Sequence, residues 1–200
     1  MEKLELPTER LVNQYLKDFQ TYEDGRYFYA DIAIEKLFKQ FPQNTEFEDV
    51  LLKVVVINNL YNTNILGTYK MAKYIHSLKN LDIRLKEGDL TLINEIAAGH
   101  KISKRVEYSF ATKYCNWHNQ EAFAIYDGFV EKVLQNYKRQ GIFKELGDWD
   151  LKNYRYLTVI IYYLKEQYLH NKFSIKDIDK FLWMYGREMF PPKYKNKQEK

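Results

Sequence analysis

The amino-acid sequence predicts an all-α protein. Apolar residues recur at helical spacing along most of the 200 residues, and no segment sustains the period-two alternation of a half-buried strand. A hydrophobic content of 46%, with 16% aromatic residues, can fill the core of one domain or of two closely apposed lobes. No internal repeat, Gly-rich phosphate loop or low-complexity tract interrupts the pattern.

Between Thr8 and Thr21, the side chains of Leu11, Val12, Tyr15, Leu16 and Phe19 share one helical face, and Glu23-Asp24-Gly25 is a stop. Tyr27 to Phe41 repeats the pattern before Pro42. Thr45-Glu46-Phe47-Glu48 reads as a capping box. The helix it opens, to about Tyr61, is apolar around much of its circumference and is therefore expected to be central and buried. Leu66 to Leu78 forms another helix, Asn80 to Gly88 breaks the periodicity, and a short helix from Asp89 to Ala98 stops at Gly99. The polar stretch His100 to Arg105 leads into Ser109 to Val130, SFATKYCNWHNQEAFAIYDGFV, where one helix ends and Asp127 opens the next. That next helix ends near Gly141. A long apolar helix is expected from Asp150 to about His170. Ser174-Ile175-Lys176-Asp177 is a capping box with Asp in the Glu position, opening a last helix that Gly186 and Pro191-Pro192 end near Tyr185.

Composition narrows the function classes. The 31 basic residues outnumber the 27 acidic ones only mildly, giving +4, and much of the excess sits in a basic tail, residues 191–200. That balance alone is weak evidence for nucleic acid. Cys115 is the single cysteine, which excludes an internal disulfide framework and points to a reducing cytoplasm. The N-terminus lacks the basic start and apolar core of a signal peptide, and no apolar window is long enough to span a bilayer. His76, His100, His118 and His170 are scattered, so neither a metal nor another cofactor is expected.

Lys113 and Asp127 lie fourteen residues apart, far enough for a helix to end and the chain to return, so the two can converge. Lys113 is flanked by Phe110, Ala111, Tyr114 and Cys115. Burial there would favour the free amine, the form that attacks carbon, whereas a lysine stem packed on aromatics with its ammonium in water reads the same locally. Asp127 is well placed as a helix N-cap, and a capping carboxylate that also faces a cleft can stabilise positive charge on a sugar ring. Asn116, Trp117 and His118 bring amide, indole and imidazole together, useful for holding an extruded base, or equally for finishing a packed helix. Lys101, Ser103, Lys104 and Arg105 suit phosphate and equally suit a solvated loop.

Taken as a string, Ser109 to Val130 resembles the helix-hairpin-helix DNA glycosylases, most closely the branch that removes oxidised guanine. Ala111-Thr112-Lys113 matches that superfamily's Schiff-base lysine step, Ile125 to Val130 its aspartate step, and Phe181-Leu182-Trp183-Met184-Tyr185-Gly186 its Leu-Trp-x-Tyr-Gly ending. The usual Leu-Pro-Gly-Val-Gly hairpin is replaced by Ala97 to Arg105. The resemblance implies a glycosylase-like fold of two apposed helical lobes around a cleft, residues 45–140 forming one and 1–44 with 141–190 the other. It implies a monomeric enzyme acting on double-stranded DNA that carries an oxidised guanine or a modified phage base. Lys113 and Asp127 would be catalytic, Asn116, Trp117, His118 and Trp183 would line the base pocket, and Lys101, Ser103, Lys104 and Arg105 would bind backbone. A non-catalytic DNA-binding domain and a helical protein-interaction module remain the alternatives.

Overall fold

Thr8 starts the first helix by accepting the Leu11 amide on its Oγ1 at 3.3 Å, and helices then follow one another along the chain. The computed structural model describes residues 3–99 and 106–191. Among these residues there are ten α-helices and no strands. They are α1 (Glu9–Thr21), α2 (Arg26–Gln40), α3 (Phe47–Leu60), α4 (Thr68–His76), α5 (Leu81–Glu87), α6 (Thr91–Ala98), α7 (Tyr108–His118), α8 (Gly128–Arg139), α9 (Tyr154–Tyr163) and α10 (Ile175–Met189). A π-helical turn, Leu164–Tyr168, extends α9.

The buried faces explain the packing. Val50, Val54 and Ile57 of α3 are fully buried, and α3 packs on α4 and also touches α2 and α7. α6 packs on α7, while α10 packs on both α1 and α8. No helix among the described residues is long and apolar enough to cross a membrane.

Four local expectations are corrected. Residues 80–88 carry a helix, α5, because Leu81 and Leu85 lie four apart on one buried face between left-handed Asn80 and Gly88. Thr45 and Glu48 form no capping box: α3 begins after Glu46 with no side-chain cap. Just upstream, Asp82 of α5 holds the Asn44 amide, with contacts of 3.0 and 3.1 Å, and its side chain, fixing how the chain enters α3. α9 starts at Tyr154, later than expected, because Asp150 to Asn153 forms a turn and Asn153 caps the helix. The Ser174–Asp177 capping box forms, but α10 runs through Gly186 to Met189.

Gly186 is a contact point between helices and does not stop α10. A Cβ there would lie 2.7 Å from the Phe129 carbonyl oxygen and 2.9 Å from its Cβ, so glycine lets α10 press against the first turn of α8. Substituting Gly186→Ala should destabilise the fold by about 1–3 kcal/mol, the usual scale of overpacking, seen as a lower urea midpoint at unchanged m-value.

Candidate functional site

The return from α7 to α8 is pinned from both sides. Asn119 closes the turn: its side chain donates to the Leu85 and Lys86 carbonyls and accepts the Ala122 amide. Asn116 Nδ2 then donates to the Phe123 carbonyl at 2.6 Å, Tyr154 donates its hydroxyl to the Ala124 carbonyl at 2.9 Å, and the Tyr126 amide donates to Thr112 Oγ1 at 3.1 Å. The chain is thus laid back along α7, and Asp127 arrives beside Lys113.

Asp127 performs two tasks. Its Oδ1 accepts the Phe129 amide at 2.9 Å, capping α8, while Oδ2 stands 3.7 Å from Lys113 Nζ. Lys113 is only 4% exposed and does not snorkel to water. Its Nζ donates to Ser109 Oγ at 2.7 Å and to the Tyr126 carbonyl at 3.3 Å, and lies 5.5 Å from the centre of the Tyr61 ring. Burial pushes its pKa below the ordinary lysine value, against the opposing pull of Asp127 and Asp179.

Both side chains open into a cavity of about 190 Å³. Its walls include Phe19, Tyr27, Phe129 and Trp183, rings suited to stacking on a planar group. Trp183 packs against Tyr27 with ring centres 4.6 Å apart. Asp31, Asp127 and Asp179 face Lys113, Lys176, Lys180 and Arg187 across the same space, leaving a slight cationic excess.

Of the proposed pocket residues, Trp183 lines this cavity and Trp117 lies just behind it. The Trp117 indole donates to the Tyr61 hydroxyl at 3.1 Å, and that hydroxyl donates to Asp31 Oδ1 at 2.8 Å. Asn116 and His118 are not among the cavity-lining residues. Asn116 is consumed in pinning the return segment, and His118 packs between Phe38 and Tyr114, at 4.8 and 5.2 Å between ring centres. Burial, reinforced by nearby Lys53, pushes the His118 pKa down to about 3. Lys101, Ser103, Lys104 and Arg105 lie outside the described residues, as does the tail beyond residue 191. Cys115 is a buried thiol whose pKa burial drives far upward, the environment of an inert core cysteine.

Local sequence reading missed Tyr61, Asp31, Lys176, Asp179 and Lys180. A signal existed in α10: Lys176, Asp179, Lys180, Trp183 and Arg187 follow helical spacing and all line the cavity. Read alone, such charges pass for a solvated stripe; only the packing of α1 and α8 on α10 shows that they are enclosed.

Burial pushes the Asp179 pKa up to about 6, with Lys176 and Lys113 pulling it back. A carboxyl with a raised native pKa stabilises the fold fully below its unfolded value, and that contribution is lost as pH rises through about 6. Wild type should therefore gain stability relative to Asp179→Asn as pH falls from 7 toward 4, about the ordinary carboxylate value, which urea denaturation of both proteins across that range measures directly.

A family model described as the HI_0787_N N-terminal domain matches residues 11–122, more than half of the chain. An uncharacterised protein of Haemophilus influenzae is 40% identical over 151 residues, spanning 74% of this chain and 71% of that protein. No solved structure matches.

Proposed function

The chain belongs to the HI_0787_N family, and we propose that it is a DNA glycosylase using Lys113 and Asp127. One observation carries the reading: a buried lysine of lowered pKa stands 3.7 Å from an N-cap carboxylate at the edge of an aromatic-walled cavity. Lysines with water-excluded amines act as nucleophiles toward electrophilic carbon, and a carboxylate held in place beside the reacting centre stabilises developing positive charge. A nucleobase is the planar substrate such walls favour, and enzymes that act on a base must first draw it out of the stack.

In this mechanism the extruded base stacks against Trp183 and Tyr27. The Lys113 amine attacks the anomeric carbon of the sugar, forming a C–N bond as the bond to the base breaks. The leaving base carries away that electron pair and receives the proton that Asp127 relays from the attacking nitrogen. Asp127 stabilises the oxocarbenium-like charge on the sugar and takes up the proton released by the attacking nitrogen. Ring opening then yields an imine between Lys113 and the sugar, from which strand cleavage by elimination can follow.

The cavity draws on residues 1–44, on 45–140 and on 141–190, which supports an arrangement of two lobes with the site between them. The substrate is an oxidised guanine or a modified phage base, placing the enzyme in repair or in defence. The protein would act as a cytoplasmic monomer on double-stranded DNA, with Lys101, Ser103, Lys104 and Arg105 contacting phosphates.

Borohydride trapping tests the chemistry, since hydride reduces the imine to a stable secondary amine. Oligonucleotides carrying different modified bases should yield a trapped protein–DNA adduct with wild type and none with Lys113→Ala. Asp127→Asn should slow excision by about 10²–10³-fold, the scale for losing a preorganised electrostatic partner. Excision without an adduct would transfer the nucleophile's role to a water directed by Asp127. Salt-dependent duplex binding with no excision of any base would leave a non-catalytic DNA-binding domain.

A further inference from the structure

Lys176 is a cavity cation to which the proposed reaction assigns no part. It sits in the first turn of α10 with 9% of its side chain exposed, 4.0 Å from Asp31 Oδ2 and 3.9 Å from Asp179 Oδ2. Its ammonium donates to the Tyr61 hydroxyl at 3.3 Å and lies 4.5 Å from the centre of the Trp117 ring. Lys113 reaches the same phenol from α7. The two Nζ atoms lie 5.5 and 5.8 Å from the Tyr61 ring centre, so two lysines share one aromatic ring.

We propose that Lys176 is a positioning residue for Lys113. By fixing a second positive charge on the Tyr61 ring and holding Asp179 to itself, it keeps Lys113 from resting as a stabilised ammonium and leaves its amine available to attack. The inference rests on Lys113 being the nucleophile, but its electrostatic content can be measured separately.

The groups facing Lys113 sort clearly. Asp127 comes from the start of α8, Tyr61 from the end of α3, Asp31 from α2, and Lys176, Asp179, Lys180 and Arg187 from α10. Asp127 and Asp179 favour the ammonium, whereas burial and Lys176 oppose it. The other two cations are otherwise engaged. Lys180 pairs with Asp31 at 3.2 Å, and Arg187 is held by Glu23 at 2.9 Å and by the Tyr27 hydroxyl at 2.8 Å. Among the described residues, the carboxylates of Asp31 and Asp179 stand 4.0 and 3.9 Å from the Lys176 ammonium, beyond direct hydrogen-bond reach. A like charge in a site of low dielectric acts strongly on its neighbour.

Reductive ¹³C-methylation of the lysines, followed by an NMR pH titration, reads the Lys113 midpoint without DNA; Lys113→Arg assigns the resonance. In wild type it should titrate below the surface lysines. Lys176→Met and Lys176→Gln should each raise the midpoint by about one pH unit, the scale of a neighbouring charge, and Lys176→Arg should return it. Gln retains a donor for the Tyr61 hydroxyl and serves if Met fails to fold. Loss of Lys176 also favours protonated Asp179, which acts in the opposite sense, so the pair is repeated in an Asp179→Asn background. A midpoint that stays put in both backgrounds overturns the proposal. On abasic-site DNA, the acid limb of borohydride trapping should move upward with the midpoint. If wild type traps no abasic DNA, the nucleophilic role of Lys113 fails, while the NMR midpoint still decides the electrostatic effect of Lys176.

Discussion

A lysine ammonium taken out of water must find acceptors, and at Lys113 the segment that supplies them also builds the cavity. Desolvating a charge costs several kcal/mol unless nearby groups offset it. Here the offset comes from Ser109 one turn earlier, from the Tyr126 carbonyl and from Asp127. The last two reach Lys113 only because Thr112, Asn116 and Tyr154 hold the returning chain against α7. The same return starts α8 at Asp127, and α8 is where Gly186 lets α10 approach. The α10 charges face Lys113 as a consequence of that docking.

A second buried lysine shows what a full set of hydrogen-bond acceptors looks like. Lys53 of α3 is completely buried and donates to the Phe41 and Gln43 carbonyls and to Asn44 Oδ1 at 3.1, 2.7 and 2.8 Å. All three ammonium hydrogens are used, and with Asp82 on Asn44 they fasten the α2–α3 connection to α5. Lys53 is structural. Lys113 has one short contact, one at 3.3 Å and a carboxylate at 3.7 Å, and it faces open space. Equal burial with unequal coordination separates a fastening from a group able to change its bonding.

Much of the helical layout was legible because amphipathic spacing survives in tertiary context: α1, α2, α8 and the capped start of α10 fall close to where periodicity puts them. The convergence of Lys113 and Asp127 was legible as well, since an N-cap residue fixes a helix start and fourteen residues leave room for one return. What sequence could not reveal was long-range. α5 depends on two leucines and left-handed ends that look like a break, and Gly186 reads as a stop when its role is set by a carbonyl on another helix. Asn116 and His118 looked like recognition groups because local sequence cannot show which side of α7 faces space; both turn toward packed neighbours. Lys176 and Asp179 were not legible either, because sequence alone does not show which face of α10 is enclosed.

The matched family segment and the cavity do not share a boundary. Residues 11–122 carry Asp31, Tyr61 and Lys113, yet Asp127, Lys176, Asp179 and Trp183 lie beyond them. Without α8 and α10, Lys113 would lose its carboxylate partner and the aromatic wall opposite, and Tyr61 would lose the lysine on its hydroxyl. A buried charge stripped of its partner is costlier than no charge at all. The first seven helices are therefore poor candidates for holding Lys113 buried by themselves. The lysine's environment is a property of the joint between the two parts, which makes the packing of α10 on α8 as much a requirement of the chemistry as the lysine itself.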